Sequence, residues 1–178
     1  MEVAVGVGVA VRAGEEFQER SKKILRGIAR QDWNKAVVLA DSELEGIAGA
    51  GALSFKEIAL MPADYYHLLD VRHGPILLID KKTLVIAVCS PNGISRQKDL
   101  ISDLKKKSPL IVEVSGGPQK ISDADYWIPV PAFRNFGVTG IPFIFIPQAL
   151  SLFKAVGRGI NPDLPQGLCP WIVLKEKE

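Results

Sequence analysis

Four short, mostly apolar runs limit what this chain can fold into. They are "KAVVLAD" (35–41), "TLVIAVC" (83–89), "LIVEV" (110–114) and "YWIPV" (126–130). Runs of this length and apolarity read as strands buried on both faces. Between and around them lie helical patterns. Residues 14–30 put Phe17, Ile24, Leu25, Ile28 and Ala29 on one face, with acidic residues first and basic ones last. "DSELEGIAGAGALSFKEIAL" (41–60) reads as a helix opened by a capping box of Ser42 and Glu45. Its glycines Gly46, Gly49 and Gly51 weaken a helix, so they predict close backbone packing. Residues 94–107 form an amphipathic helix with Leu100, Ile101 and Leu104 inward. "PFIFIPQALSLFKAVGRG" (142–159) is apolar nearly all round, which predicts a buried helix. "WIVL" (171–174) closes the chain. Alternation of buried strands and helices predicts an α/β fold, a three-layer αβα sandwich around a parallel, doubly wound sheet.

With 178 residues, the chain is expected to form one main domain over 32–178, with 1–31 as an N-terminal arm or connecting helix. Net charge is +2 and no basic stripe interleaves with aromatics, so nucleic acid is not expected as a partner. "VAVGVGVAV" near the start follows Glu2 rather than a basic region and is too short to span a bilayer, so no leader or membrane segment is expected. The two cysteines, Cys89 and Cys169, are too few for a disulfide framework and suit a reduced, cytoplasmic setting.

In a doubly wound fold, ligands gather beyond the strand C-terminal ends, which singles out the loops Asp41–Glu43 and Ser90–Ser95. "GIAGAG" follows the first strand, but its glycines fall inside the predicted helix rather than in the turn, so no nucleotide cofactor is expected. "DYYHLLDVRH" carries Asp64, His67, Asp70 and His73 at steps of three. On a helix such a row makes a metal site conceivable, but the spacing drifts around the axis and "HGP" breaks the helix. No metal is assigned. Glu57 has two readings on periodicity: a surface carboxylate, or, because Leu53, Phe55, Ile58 and Leu60 surround it, a buried general base with a raised pKa.

"SFKEIALMPADYYHLLDVRHGPILLID" (54–80) resembles the sugar isomerase (SIS) domain. The shared features are the Lys-Glu-Ile helix, the Arg-His-Gly-Pro segment sixteen residues after the glutamate, and the later "RGINPDLPQGL" (158–168). The resemblance covers about residues 36–174 and is narrower toward the second of the two repeats in the isomerase half of glucosamine-6-phosphate synthase and in related isomerases and deaminases. It implies that Glu57 moves a proton between C1 and C2 of an open-chain hexose or hexosamine 6-phosphate, through an enediol or enolamine and without a metal. It implies that His73 helps open the sugar ring and reaches into a neighbouring subunit's site, so a homodimer is expected. It places Ser42, Glu43, Lys56, Ser95 and Cys169 against the substrate. Arg72 is expected to anchor the loop or the interface.

The sequence departs from the family pattern twice. The Ser/Thr-rich phosphate loop of the family's first repeat has no counterpart here; "SPNGIS" (90–95) fills the corresponding turn. Pro170 stands where the family has a sugar-site lysine. Two readings follow: an isomerase or deaminase domain, working with a second copy or a separate first repeat, or a non-catalytic phosphosugar-binding or regulatory module.

Overall fold

The computed structural model describes the backbone of residues 2–164 and the side chains of 14–164 other than Ser42. Five strands form one sheet: β1 (Lys35–Leu39), β2 (Ala63–Tyr66), β3 (Thr83–Cys89), β4 (Leu110–Gly116) and β5 (Tyr126–Val130). All neighbouring pairs are parallel, in the order β2-β1-β3-β4-β5. The chain runs outward from β1 to β2, then reverses across β1 to β3. The strand order therefore switches between β1 and β3.

Alternate strand residues serve two cores, as the two-residue side-chain period requires. Val38, Ile86, Val112 and Ile128 face one side, where they meet Phe55, Phe143 and Leu150. Leu39, Val85, Ala87 and Ile111 face the other, where they meet Leu100, Ile101 and Leu104. Three helices cover the first side: α1 (Glu2–Ala29), α2 (Glu45–Glu57) and α4 (Gly140–Gly157). The second side holds α3 (Ile94–Lys105) and the loop cluster around Leu68, Val71 and Ile79. The expected αβα sandwich is the observed architecture.

α4 is long and apolar enough to cross a membrane by length and composition alone. In the structure it packs between α1 and α2, with Phe143, Ile146 and Leu150 fully buried. Phe17 of α1 meets Phe145 edge-on at 6.2 Å between ring centres.

The glycines of α2 divide by position. A Cβ on Gly51 would lie 2.8 Å from Cγ of Pro147, inside α4, and one on Gly49 would lie 3.3 Å from the Tyr65 ring. Gly46 has nothing within 4 Å, so close packing explains two of the three. Gly51→Val is expected to cost about 2 kcal/mol, because the proline ring cannot rotate aside as a flexible side chain would. Urea unfolding monitored by circular dichroism checks this, with Gly46→Ala as the tolerated control.

Two expectations change. β2 falls within the stretch that the Asp/His spacing made conceivable as a helix. As an edge strand of four residues, half exposed, it has no continuous apolar run. The helix expected to open at Ser42 starts instead at Glu45, after a 3-10 turn over Ser42–Leu44, with Leu44 as N-cap. The closing apolar run at 171–174 lies outside the described residues.

Candidate functional site

α2 and α3 both lead from the end of one parallel strand back to the start of the next. Their N-termini therefore lie at the strand C-terminal edge, the crest of the sheet. The β3–α3 turn is built on Gly93, whose φ of 71° is left-handed and cheap only for glycine. Gln97, buried in the first turns of α3, donates from Nε2 to the Ser90 carbonyl at 3.1 Å and to the Asn92 carbonyl, which holds the turn closed. α3 has no side-chain cap, so its first N–H groups face the crest, and Ser95 stands exposed beside them. Across the switch point, Glu43 is exposed after β1. Ser42, Glu43 and Ser95 are thus brought to one edge.

A group that the sequence reading did not assemble sits there as well. His67, just past β2, has Nε2 3.0 Å from Oε2 of Glu45 and Nδ1 3.4 Å from Oδ1 of Asp41. The same Asp41 oxygen accepts the Leu68 backbone N–H at 2.7 Å, which fixes the carboxylate. All three side chains are about two-fifths exposed. The spacing row of Asp64, His67, Asp70 and His73 does not survive as a helix face: it runs through β2, a bend and a 3-10 turn. Asp64 turns to Lys56 at 3.7 Å, whereas His67 turns to Asp41 and Glu45. Among the described residues no three His, Cys, Asp or Glu side chains converge as a metal site.

Glu57 lies at the opposite end of α2. Twelve residues separate it from Glu45, about 18 Å at the helical rise. Ala48, Ala52 and Phe55 take the inward face of the helix, which turns Leu53, Lys56 and Glu57 outward. Of the two readings of Glu57, the single chain shows the surface carboxylate and not the buried one: it is exposed, and its apolar neighbours Leu53 and Leu60 are exposed with it. Leu60 holds a left-handed φ of 49°, a strained position for a leucine. His73 is also exposed and follows the 3-10 turn Asp70–Arg72, which packs on the α3 side of the sheet. Arg72 ties that turn to α3 through Asp103 at 2.6 Å, the anchoring role expected of it. The carboxyl of Asp103 is held below its ordinary range mainly by hydrogen bonding from Lys106, with Arg72 adding to the effect. Glu57 and His73 therefore belong to opposite faces of one chain. Cys169 lies outside the described residues. A separate cleft of about 380 Å³, lined by Asp32, Trp33, Lys81 and Ser108, lies under the strand N-terminal ends, away from the crest.

Behind the crest, the second core contains a buried carboxylate that the sequence did not flag. Glu113 on β4 accepts from Ser115 Oγ at 2.7 Å, from the N–H groups of Ile121 and Ser122 at 3.0 Å each, and from Ser122 Oγ. Cys89 is buried on the same side of the sheet. Burial, with Glu113 and Asp41 as lesser causes, pushes its thiol pKa well up. Thiolate is the reactive form, so in a Cys169→Ser background Cys89 is expected to resist alkylation at pH 8 until the chain is unfolded. Mass spectrometry with and without denaturant checks this.

Order, all-parallel pairing and crest loops define a doubly wound α/β domain with its loops gathered beyond the strand C-terminal ends. No family model matches the chain. Relatives do: a glutamine–fructose-6-phosphate aminotransferase (isomerizing) of Pyrobaculum aerophilum is 30% identical over 131 residues, 72% of this chain and 22% of its own length. D-galactosamine-6-phosphate deaminase AgaS of a Shewanella species is 27% identical over 150 residues, 80% of this chain and 35% of its own. Among solved structures, glucosamine-6-phosphate deaminase of Thermotoga maritima matches with TM-score 0.79 and 30% identity, over 93% of this chain and 48% of that one. A 16% identical protein of Escherichia coli CFT073 shares the fold with TM-score 0.70, over 89% of this chain and 91% of its own. The chain is a sugar isomerase (SIS) domain. It spans between 21% and 37% of the curated relatives it matches.

Proposed function

We propose that the chain is a phosphosugar isomerase or deaminase domain whose working site is shared between two domains. In this reading Glu57 of one copy moves the C1/C2 proton of an open-chain hexose or hexosamine 6-phosphate, and His73 of a neighbouring copy moves protons on the sugar oxygens. Ser42, Glu43 and Ser95 on the crest of a facing domain, with Lys56 and the Cys169 backbone, surround the substrate. The facing domain is a second copy of the chain or a separate first repeat. The protein works in the cytoplasm.

The observation that carries the reading is the separation of the two ends of α2. The exposed carboxylate and the crest loops lie too far apart to hold one sugar phosphate, yet each is placed to serve a facing domain. The apolar surfaces support a second copy as that domain. Leu53 precedes Glu57 by one helical turn and Leu60 follows it by three residues, and Leu77 and Leu78 follow His73, all exposed in the single chain. Covering them would remove Glu57 from water, the setting a general base needs.

The test incubates the full chain with fructose 6-phosphate, glucosamine 6-phosphate and galactosamine 6-phosphate in turn, following aldose–ketose exchange by NMR and ammonia release by a coupled assay. Light scattering on the same sample reads the assembly state. Turnover by a dimer or larger assembly is the expected result. Binding without turnover of any of the three would favour the second reading, a phosphosugar-binding regulatory module, for which Pro170 at the family lysine position is the specific observation.

A further inference from the structure

We infer that Asn92 is a self-modification site: in the folded chain, assisted by the Ser90 hydroxyl, it loses its side-chain amide to attack by the Gly93 backbone nitrogen and becomes aspartate or isoaspartate. The site lies in the β3–α3 turn at the crest, where Asn92 directly precedes Gly93. The reaction needs no bound sugar, so it stands apart from the proposed function.

The chemistry is a cyclisation followed by hydrolysis. The Gly93 nitrogen attacks Cγ of Asn92 and forms a C–N bond. The bond from Cγ to the side-chain nitrogen breaks, and that nitrogen leaves as ammonia, carrying the proton that the backbone nitrogen gives up. The ring that remains is a succinimide. Water then adds to one of its carbonyls and opens the ring, to aspartate in one direction and isoaspartate in the other. One water is consumed and one ammonia released; no oxidant, reductant or cofactor takes part. Three conditions favour the reaction. The amide must be exposed and held by nothing. The following N–H must be free and unhindered. The carbonyl between them must be polarised, so that this N–H gives up its proton more easily.

The turn meets all three. Asn92 and Gly93 are exposed. Among the described residues the Asn92 side chain makes no hydrogen bond, and neither does the Gly93 N–H. Gly93 has no Cβ to hinder the approach, and glycine adopts its φ of 71° freely. The Asn92 carbonyl accepts from Ser90 Oγ at 2.8 Å and from Gln97 Nε2. Two donors on one carbonyl draw electrons from its peptide group and make the attached N–H more acidic, since linked hydrogen bonds polarise one another. The carboxylate that forms stands before the uncapped start of α3, where the helix dipole favours negative charge. Each of the other three asparagines fails a condition. Asn34 is followed by Lys35, whose N–H is engaged by the Lys82 carbonyl at 3.4 Å. Asn135 Oδ1 accepts the Gly137 N–H at 2.9 Å. Asn161 precedes Pro162, which has no N–H to attack with, and its Oδ1 accepts the Asp163 N–H at 3.0 Å.

The test incubates the full chain at mildly alkaline pH, folded in buffer and unfolded in urea, and follows each asparagine by mass spectrometry of tryptic peptides. Trypsin puts the four asparagines on separate peptides, with Asn92 on 83–96. Conversion reads as a gain of about 1 Da, and isoaspartate separates from aspartate by chromatography. In the folded chain Asn92 is expected to convert at no less than about one third of its rate in urea, and faster than any other asparagine, because its turn is exposed and nothing need open first. Ser90→Ala removes one donor from the Asn92 carbonyl. It is expected to slow conversion in the folded chain about threefold and to leave the rate in urea unchanged. A hydroxyl that merely stiffens the turn would have the opposite effect, because its loss would free the attack. Thermal unfolding confirms that the variant folds; should it not, the folded and unfolded wild-type chains decide alone. Three results overturn the inference: conversion of Asn92 in the folded chain slower than that fraction of the urea rate, another asparagine converting as fast, or a folded Ser90→Ala chain whose rate is unchanged or raised.

Discussion

If the proposed function holds, Glu57→Gln is expected to lower turnover of hexose or hexosamine 6-phosphates about a thousandfold and to leave ligand binding nearly unchanged. The size follows from what a positioned general base contributes, roughly 10²–10⁴ in rate. Glutamine keeps the shape and polarity of the side chain but cannot take the C1/C2 proton. Binding is expected to survive because the proposed site holds the phosphate and hydroxyls through other groups. The exposure of Glu57 in the single chain sharpens the expectation. If its catalytic setting is created by a neighbour, activity must fall on dilution below the assembly's dissociation constant. His73→Gln must fail for a separate reason and in the other subunit. Mixing the two inactive variants and letting subunits exchange is then expected to recover about one quarter of wild-type activity, since half the dimers are mixed and each has one intact site. Steady-state assays with NMR detection, together with titration of an alditol 6-phosphate, read both quantities. Persistence of wild-type turnover in Glu57→Gln removes the base assignment. No recovery on mixing, with subunit exchange verified, removes the shared site.

The second large effect concerns stability. Glu113→Ala is expected to cost about 3–4 kcal/mol, because four donors in the second core lose their acceptor at once. Two are backbone N–H groups of Ile121 and Ser122, which tie the β4–β5 connection to the sheet. A third, Ser115 Oγ, also accepts from the indole of Trp127 at 2.9 Å, so the loss reaches β5. Glu113→Gln is expected to lose less, about 2 kcal/mol, since one amide oxygen still accepts while the NH2 meets donors. Urea unfolding followed by tryptophan fluorescence separates the two. A loss below about 1 kcal/mol for the alanine variant would show that water replaces the carboxylate and that the site is not closed.

Much of the architecture was legible because burial on both faces writes itself as mostly apolar runs. β1, β3, β4 and β5 are such strands, and α3 and α4 carry the matching helical signals. β2 was not legible: Ala63–Tyr66 is an edge strand in which Ala63 is buried and Asp64 and Tyr65 are exposed, so it carries neither an apolar run nor an alternation. The glycines of α2 announced close packing but not its partners, which are Pro147 of α4 for Gly51 and the Tyr65 ring for Gly49. For Glu57, apolar neighbours in sequence suggested burial. Helical phase overruled them: Leu53, one turn earlier, shares its outward face, and Leu60 lies beyond the helix end and is exposed as well.

The order of residues alone determined the alternation of strand and helix, the parallel sheet it demands, and the Lys-Glu and Arg-His-Gly-Pro segments that mark the family. Local hydropathy and spacing act along the chain, so they can be read there. Only the tertiary structure decided that α2 carries Glu57 to one end and the crest loops to the other, and that His67 closes on Asp41 and Glu45. Those placements depend on strand order and on the direction of each crossover, which join residues distant in sequence and leave no trace in any one segment.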